Sequence, residues 1–189
     1  GEVFRYHLPR PPGNGGTAGE GQNIAIADND IPKLMEYIRE QNIDFVIPGP
    51  ELPLVLGIVD ACKEAGVPCF GPCKYAAQLE GYKAFFKTVM RESGVPPSDF
   101  RIFPDPDAAR TYIGEHGAPV VVKADGLAAG KGVVVAKTVD EALEAVDDMM
   151  VKKIFGDAGN TVVIEDTLIG EEVSFLCICD GDTVIPLPS

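Results

Sequence analysis

Lys123 and Lys131 bracket a run of small residues, Ala124-Asp125-Gly126-Leu127-Ala128-Ala129-Gly130, within the valine-rich segment 120–135. Gly126, Gly130 and Gly132 have no Cβ, so backbone N–H groups there can approach an anion closely, and the two ammonium groups add charge on flexible stems. The chemistry such a set performs is the holding of a nucleotide's phosphates. It is not a Walker loop, because it lacks the GK[ST] ending and is followed by strand instead of helix. A flexible Gly/Ala hairpin with two solvated lysines is the reading that the bare pattern leaves open. A second set runs over Glu165-Asp166-Thr167-Leu168 and on to Glu172. A strand breaking into a linker can offer backbone N–H and C=O groups to a base, and a carboxylate shortly after can accept ribose hydroxyls. An acidic surface loop between strands is the alternative. A third set is Glu51, after Pro48-Gly49-Pro50, and the turn around Gly13-Asn14-Gly15-Gly16.

These residues need elements to position them. Val120–Val122 and Val133–Val135 are short apolar runs on either side of the glycines and predict a hairpin that delivers Lys123 at the end of a buried strand. Ahead of it the pattern alternates strand and helix. Strands are expected over 3–7, 23–27, 45–47 and 68–70; a helix over 31–41 is capped by Asp30 with Pro32 in its first turn; and a second helix over 54–65 ends at Gly66. Ligands of such βαβ sheets sit at the carboxyl ends of strands, where Glu51 falls, although a role for Glu51 at the start of the following helix fits equally. One helix over 75–93, stopped by Gly94 and Pro96-Pro97, would place Lys83 and Lys87 one turn apart. Further helices are expected over 108–116 and 140–153, a strand over 161–165, and a hairpin of 173–179 with 183–186 turned by Asp180-Gly181-Asp182.

With 46% hydrophobic and 24% charged residues, 189 residues can bury a core of one to two domains. The net charge of −13 argues against non-specific nucleic-acid or anionic-membrane partners, which need a basic footprint. Phosphate binding must then rest on a few local lysines. No apolar run is long enough to span a bilayer and no signal-peptide pattern opens the chain, which together point to a cytoplasmic setting. Five cysteines, 62, 69, 73, 177 and 179, read as small core residues, with a metal role set aside for want of a Cys-x-x-Cys knuckle. His7 and His116 read as surface or helix-terminal residues.

The ordered blocks Pro12-Gly13-Asn14-Gly15-Gly16-Thr17-Ala18, Gly49-Pro50-Glu51-x-Pro53-Leu54-Val55, Gln78-Leu79-Glu80-Gly81-x-Lys83-Ala84-Phe85, the stretch Lys123 to Val133, Phe155-Gly156-Asp157-Ala158-Gly159, and Gly170-Glu171-Glu172-x-Ser174-Phe175 span nearly the whole chain. In them the sequence resembles the glycinamide ribonucleotide synthetase (phosphoribosylamine–glycine ligase) family of ATP-grasp enzymes. The resemblance implies an α/β fold: a Rossmann-like domain over 1–76 that meets substrate, then the first part of an ATP-grasp domain, with its small nucleotide-binding lid, over 77–189. It implies a purine-biosynthetic reaction in which ATP activates glycine as glycyl phosphate for attack by the amine of 5-phosphoribosylamine, with Mg²⁺ (Mn²⁺ as the alternative) as cofactor. No residue acts as covalent nucleophile. By the same resemblance Lys83 and Lys123 meet the α- and β-phosphates, and the loop with Gly126, Gly130, Lys131 and Gly132 closes over the β- and γ-phosphates. Glu165, Asp166, Thr167 and Leu168 form the adenine linker, Glu172 takes the ribose, and Gly13, Asn14 and Glu51 meet phosphoribosylamine.

Some family features are missing. The opening strand and Gly-rich loop ending in Arg-Glu-His do not occur, and the chain stops at Leu187-Pro188-Ser189, before the part that carries the acidic Mg²⁺ ligands. Tyr82 stands where Ser is usual, and Asp166-Thr167 where Glu/Asp-Phe/Leu types are. The chain therefore reads as a portion of the ligase, expected to bind ATP and not to complete the reaction alone, its parent a monomer or part of a multifunctional purine enzyme. A non-catalytic ATP-binding protein, or another ATP-grasp carboxylate–amine ligase, is the alternative.

Overall fold

The computed structural model describes residues 9–19 and 21–188. The strand expected over 3–7, with His7, lies outside them. Strand β1 (Pro9–Arg10) pairs in parallel with β2 (Gln22–Asn23). The strand expected over 23–27 stops after Asn23, because the Ile26 N–H turns back to the Ile24 carbonyl at 2.8 Å instead of joining a ladder. Helix α1 (Ile31–Glu40) begins as its sequence predicts, with the Asp30 side chain accepting from the Lys33 N–H at 3.3 Å and Pro32 in the first turn. It buries Leu34, Met35 and Ile38 against Ile58 and Cys62.

The helix expected over 54–65 is two helices, α2 (Glu51–Leu56) and α3 (Ile58–Glu64), divided where Gly57 takes φ +99°. The flanking strands over 45–47 and 68–70 reduce to one parallel bridge, Val46 with Cys69. Pro48 and Pro68 have no N–H to extend the ladder. Only Cys62 of the five cysteines is fully buried; Cys69 is half-buried and Cys73, Cys177 and Cys179 are exposed, against the expectation of core residues. The exposed ones lie on loops and on a hairpin that packs against no core.

From residue 78 the chain builds a four-stranded antiparallel sheet, in the order β3 (Phe100–Phe103), β6 (Val162–Asp166), β4 (Val120–Ala124), β5 (Val133–Ala136). Helices α6 (Pro106–His116) and α7 (Val139–Val146) cover one face, burying Ala109, Ile113 and Val146 on Val120, Val122 and Ile164. Asp105 caps α6 through the Ala108 N–H at 3.0 Å, and Thr138 caps α7 through the Glu141 N–H at 3.2 Å. The helix expected over 140–153 widens after Val146 into a π-helical turn, Asp147–Val151. Gly159 lets that turn lie close, since a Cβ there would meet the Met149 carbonyl oxygen at 2.1 Å.

The single helix expected over 75–93 is also two, α4 (Gln78–Gly81) and α5 (Lys83–Glu92), because Tyr82 is extended at φ −137°, ψ 113°. Beyond the sheet, β7 (Cys177–Cys179) and β8 (Val184–Pro186) form a shorter hairpin than expected. Its turn is the one predicted: Asp180 Oδ1 accepts from the Asp182 and Thr183 N–H groups at 3.1 and 2.7 Å, and Gly181 sits at φ +104°. Among the described residues no helix is long and apolar enough to cross a membrane.

Candidate functional site

The valine runs fold as the expected hairpin, with Val120 opposite Ala136 and Lys123 opposite Val133. Lys123 alternates to the face away from α6 and α7, because Val120, Val122 and Ala124 fill the other face. On that face it meets Glu165. Lys123 Nζ lies 2.9 Å from Glu165 Oε1 as a charge pair, and Lys87 Nζ, from α5, lies 2.8 Å from Oε2. Ser98 completes the group by donating to Oε2 at 2.8 Å and accepting from Lys87 Nζ at 3.0 Å. Glu165 is only 5% exposed. Burial pushes its carboxyl up, but Lys87, Lys123 and Ser98 outweigh that and hold it below the usual carboxylate value.

Lys83 approaches from the start of α5 and donates its ammonium to the Gly126 carbonyl at 3.1 Å. Burial lowers its pKa, with the Asp125 carboxylate pulling the other way and Lys123 adding repulsion. Gly126 is needed for closeness, since a Cβ would meet Ala158 Cα at 2.9 Å. Past it the loop turns through Ala129 at φ +49° and Gly130 at φ +75°, and Lys131 donates its backbone N–H to Ala128 at 2.9 Å. Gly132 closes the turn, its missing Cβ making room for Ala128 Cβ, which would otherwise stand 2.6 Å away. The Lys131 side chain is exposed.

The structure therefore gathers Lys83, Lys123, Gly126 and Glu165 at the root of the glycine hairpin. Among the described residues, no side-chain hydrogen bond or ion pair joins the remaining candidates to this cluster. Asp166 ends β6 and pairs with His116 Nε2 at 2.9 Å, while His116 Nδ1 lies 3.2 Å from the Tyr112 hydroxyl. The Thr167 hydroxyl is buried and has no hydrogen-bond partner among the described residues. Leu168 and Glu172 are exposed, and among the described residues neither the Leu168 N–H nor the Glu172 carboxylate has a hydrogen-bond partner. Asn14 Oδ1 is used within its own turn, accepting from the Gly16 and Thr17 N–H groups at 2.9 and 3.0 Å. Gly13, at φ +74°, leaves room for the Asn23 side chain. Glu51 lies in the first turn of α2. Between α2 and the loop root is a cleft of about 450 Å³ lined by Leu52, Val55, Tyr82, Asp125, Gly126 and Asp157 among others.

Two members of the cluster are weakly signalled by sequence. Lys87 is marked only by its one-turn spacing from Lys83, and Ser98, after Pro96-Pro97, carries no signal. Chemically, three ammonium groups around one buried carboxylate, beside a glycine-rich turn, can attract an anion. Among the described residues no group of three or more His, Cys, Asp or Glu side chains is placed to hold a metal ion, so no Mg²⁺ ligand is assigned.

The family model described as "Phosphoribosylglycinamide synthetase, N domain" matches residues 6–80, and that described as "Phosphoribosylglycinamide synthetase, ATP-grasp (A) domain" matches residues 81–189. The chain is 52% identical over 178 residues to the phosphoribosylamine–glycine ligase of Vibrio vulnificus strain YJ016, covering 93% of this chain and 42% of that protein. It is 50% identical to the Escherichia coli K12 enzyme of the same name, with the same coverage. The chain thus spans about two fifths of the length of the curated relatives it matches. Among solved structures, phosphoribosylamine–glycine ligase from Thermotoga maritima superposes with a TM-score of 0.77 at 31% identity, over 97% of this chain and 43% of that one. A biotin carboxylase from Campylobacter jejuni superposes with a TM-score of 0.63 at 22% identity, over 75% and 32% of the two chains, a likeness of fold alone.

Proposed function

Given that the chain belongs to the phosphoribosylglycinamide synthetase family, with its N domain and the first part of its ATP-grasp domain, we propose that it serves ATP-dependent joining of glycine to 5-phosphoribosylamine. The observation that carries this reading is the convergence of Lys83, Lys87 and Lys123 on the root of the glycine hairpin, with one buried carboxylate among them. ATP supplies the phosphoryl group that activates glycine's carboxylate. This chain's part is to bind and orient it.

In this reading Lys83 and Lys123 neutralise the α- and β-phosphates, and the loop from Gly126 through Gly130, Lys131 and Gly132 lies over the β- and γ-phosphates. The Glu165 carboxylate, turned inward onto the lysines, sets the position of Lys123, and the backbone from Glu165 to Leu168 meets adenine. The exposed, unengaged Glu172 carboxylate takes the ribose hydroxyls. Gly13, Asn14 and Glu51 face phosphoribosylamine, on the side of the domain boundary near residue 76. Mg²⁺ or Mn²⁺ would balance the remaining phosphate charge, held by residues other than those assigned here.

Calorimetric titration with ATP tests the phosphate assignment. Lys123 is preorganised by Glu165 whereas Lys131 must be ordered on binding, so Lys123→Ala should cost about 1.5–3 kcal/mol and Lys131→Ala less. Equal losses overturn the assignment. For the whole protein, phosphate release from ATP should require both glycine and phosphoribosylamine.

A further inference from the structure

Helix α5 begins without a cap of its own. The preceding residue, Tyr82, is extended and makes no side-chain cap hydrogen bond, yet the first N–H groups of a helix need acceptors. Two are supplied from about forty residues further on, both by Asp125. Its carbonyl accepts the Lys83 N–H at 3.0 Å, and its Oδ1 accepts the Ala84 N–H at 2.7 Å. Asp125 is itself held, its N–H donating to the Thr161 carbonyl at 3.0 Å, and Gly126 next to it donates to the Ala158 carbonyl at 3.2 Å. The Gly126 carbonyl then receives the Lys83 ammonium at 3.1 Å. Residues 125 and 126 thus grip Lys83 at both ends, backbone and ammonium, at the point where the glycine loop leaves the sheet.

We infer that Asp125 is a positioning residue, a helix cap lent by the stalk of the glycine loop that fixes where Lys83 delivers its charge relative to that loop and to Lys123. The inference deepens the phosphate-binding reading and rests on it. The two grips differ in kind. A neutral carbonyl is a weaker acceptor for an ammonium than a phosphate oxygen, so the contact with Gly126 is one that an incoming anion can take over. The backbone grip by Asp125 stays.

Asparagine caps helices about as well as aspartate, and alanine does not. Asp125→Ala should therefore raise the Kd for ATP about tenfold and speed hydrogen exchange at the Ala84 amide, while Asp125→Asn stays within about twofold of the parent on both. Rescue by asparagine separates a cap from a charge effect. Faster exchange in Asp125→Ala with unchanged ATP affinity makes the cap structural only and overturns the proposal, leaving the nucleotide reading intact. Absence of ATP binding in the parent chain overturns the nucleotide reading and this role with it. Should Asp125→Ala be unfolded by circular dichroism, Asp125→Glu decides, because it keeps the charge and displaces the acceptor by one methylene. Parental ATP affinity in that variant overturns the proposal.

Discussion

Glu165 stands under two opposed demands. A carboxylate withdrawn from water is costly, and only close, well-placed partners offset the loss. Here Lys87 and Lys123 occupy one oxygen each and Ser98 shares one of them, so the charge is retained. Counting Lys83 and the Asp125 carboxylate beside it, the cluster keeps one positive charge in excess in a chain of net charge −13. Removing the carboxylate leaves lysines facing one another in a poorly solvated space. Glu165→Gln should lower stability by about 3 kcal/mol, read from urea unfolding at neutral pH, and an unchanged midpoint would show the pairs to be worth little. The pH dependence follows in sign. Because the folded-state pKa lies below the usual 4.5, the stabilisation is present above about pH 4.5 and is lost as pH falls through the folded value. The acid limb of a stability–pH curve should flatten in Glu165→Gln.

Breaks within elements decide where these side chains go. Gly57 is left-handed at φ +99°, and a Cβ there would meet Lys74 Cδ at 3.3 Å. Gly57→Ala should cost about 1 kcal/mol or more by thermal unfolding, whereas a gain in stability would mean that α2 and α3 fuse into the longer helix their pattern favours. The second break, at Tyr82, is invisible to pattern because its cause is remote: Asp125 substitutes for the local cap. By contrast, the hairpin of Val120 to Ala136 was readable, since apolar alternation and glycine punctuation are local signals. So were the Asp30 cap and the Asp180-Gly181-Asp182 turn. Lys123 could be placed on its strand from sequence. Its partner Glu165 could not, because the antiparallel register between β4 and β6 leaves no mark in either segment, and neither could Lys87, which reaches the same carboxylate from helix α5. The Val46–Cys69 bridge was overestimated as two strands for a related reason: β-branched composition speaks for extension, and the prolines that cut the ladder act on single hydrogen bonds.

At the scale of the whole molecule, and among the described residues, one run of exposed apolar side chains extends from Leu168 to Leu187. Ile169 is fully exposed and Val173 and Phe175 are more than 70% exposed, while both strands of the β7–β8 hairpin are open to solvent. Contiguous apolar surface of this kind associates or binds hydrophobic dyes. The purified 189-residue chain should therefore enhance the fluorescence of anilinonaphthalene sulfonate, and Ile169→Ser with Phe175→Ser should reduce the signal by more than half without changing the melting temperature. A signal unaffected by the double substitution would place the sticky surface elsewhere.

The order of strands in the main sheet also has a meaning in time. β6 lies between β3 and β4 but is the last of the four to leave the ribosome. The hairpin of β4 and β5 can close by itself, whereas β3 has no sheet neighbour until β6 arrives. Pulse-labelled hydrogen exchange during refolding should accordingly show β3 and β6 amides gaining protection together, after the β4–β5 pair. Glu165 travels on β6. Until that strand docks, Lys87 and Lys123 have no counter-charge between them, so the insertion that closes the sheet also completes the lysine–carboxylate cluster, and a chain halted before residue 162 would carry the lysines without Glu165.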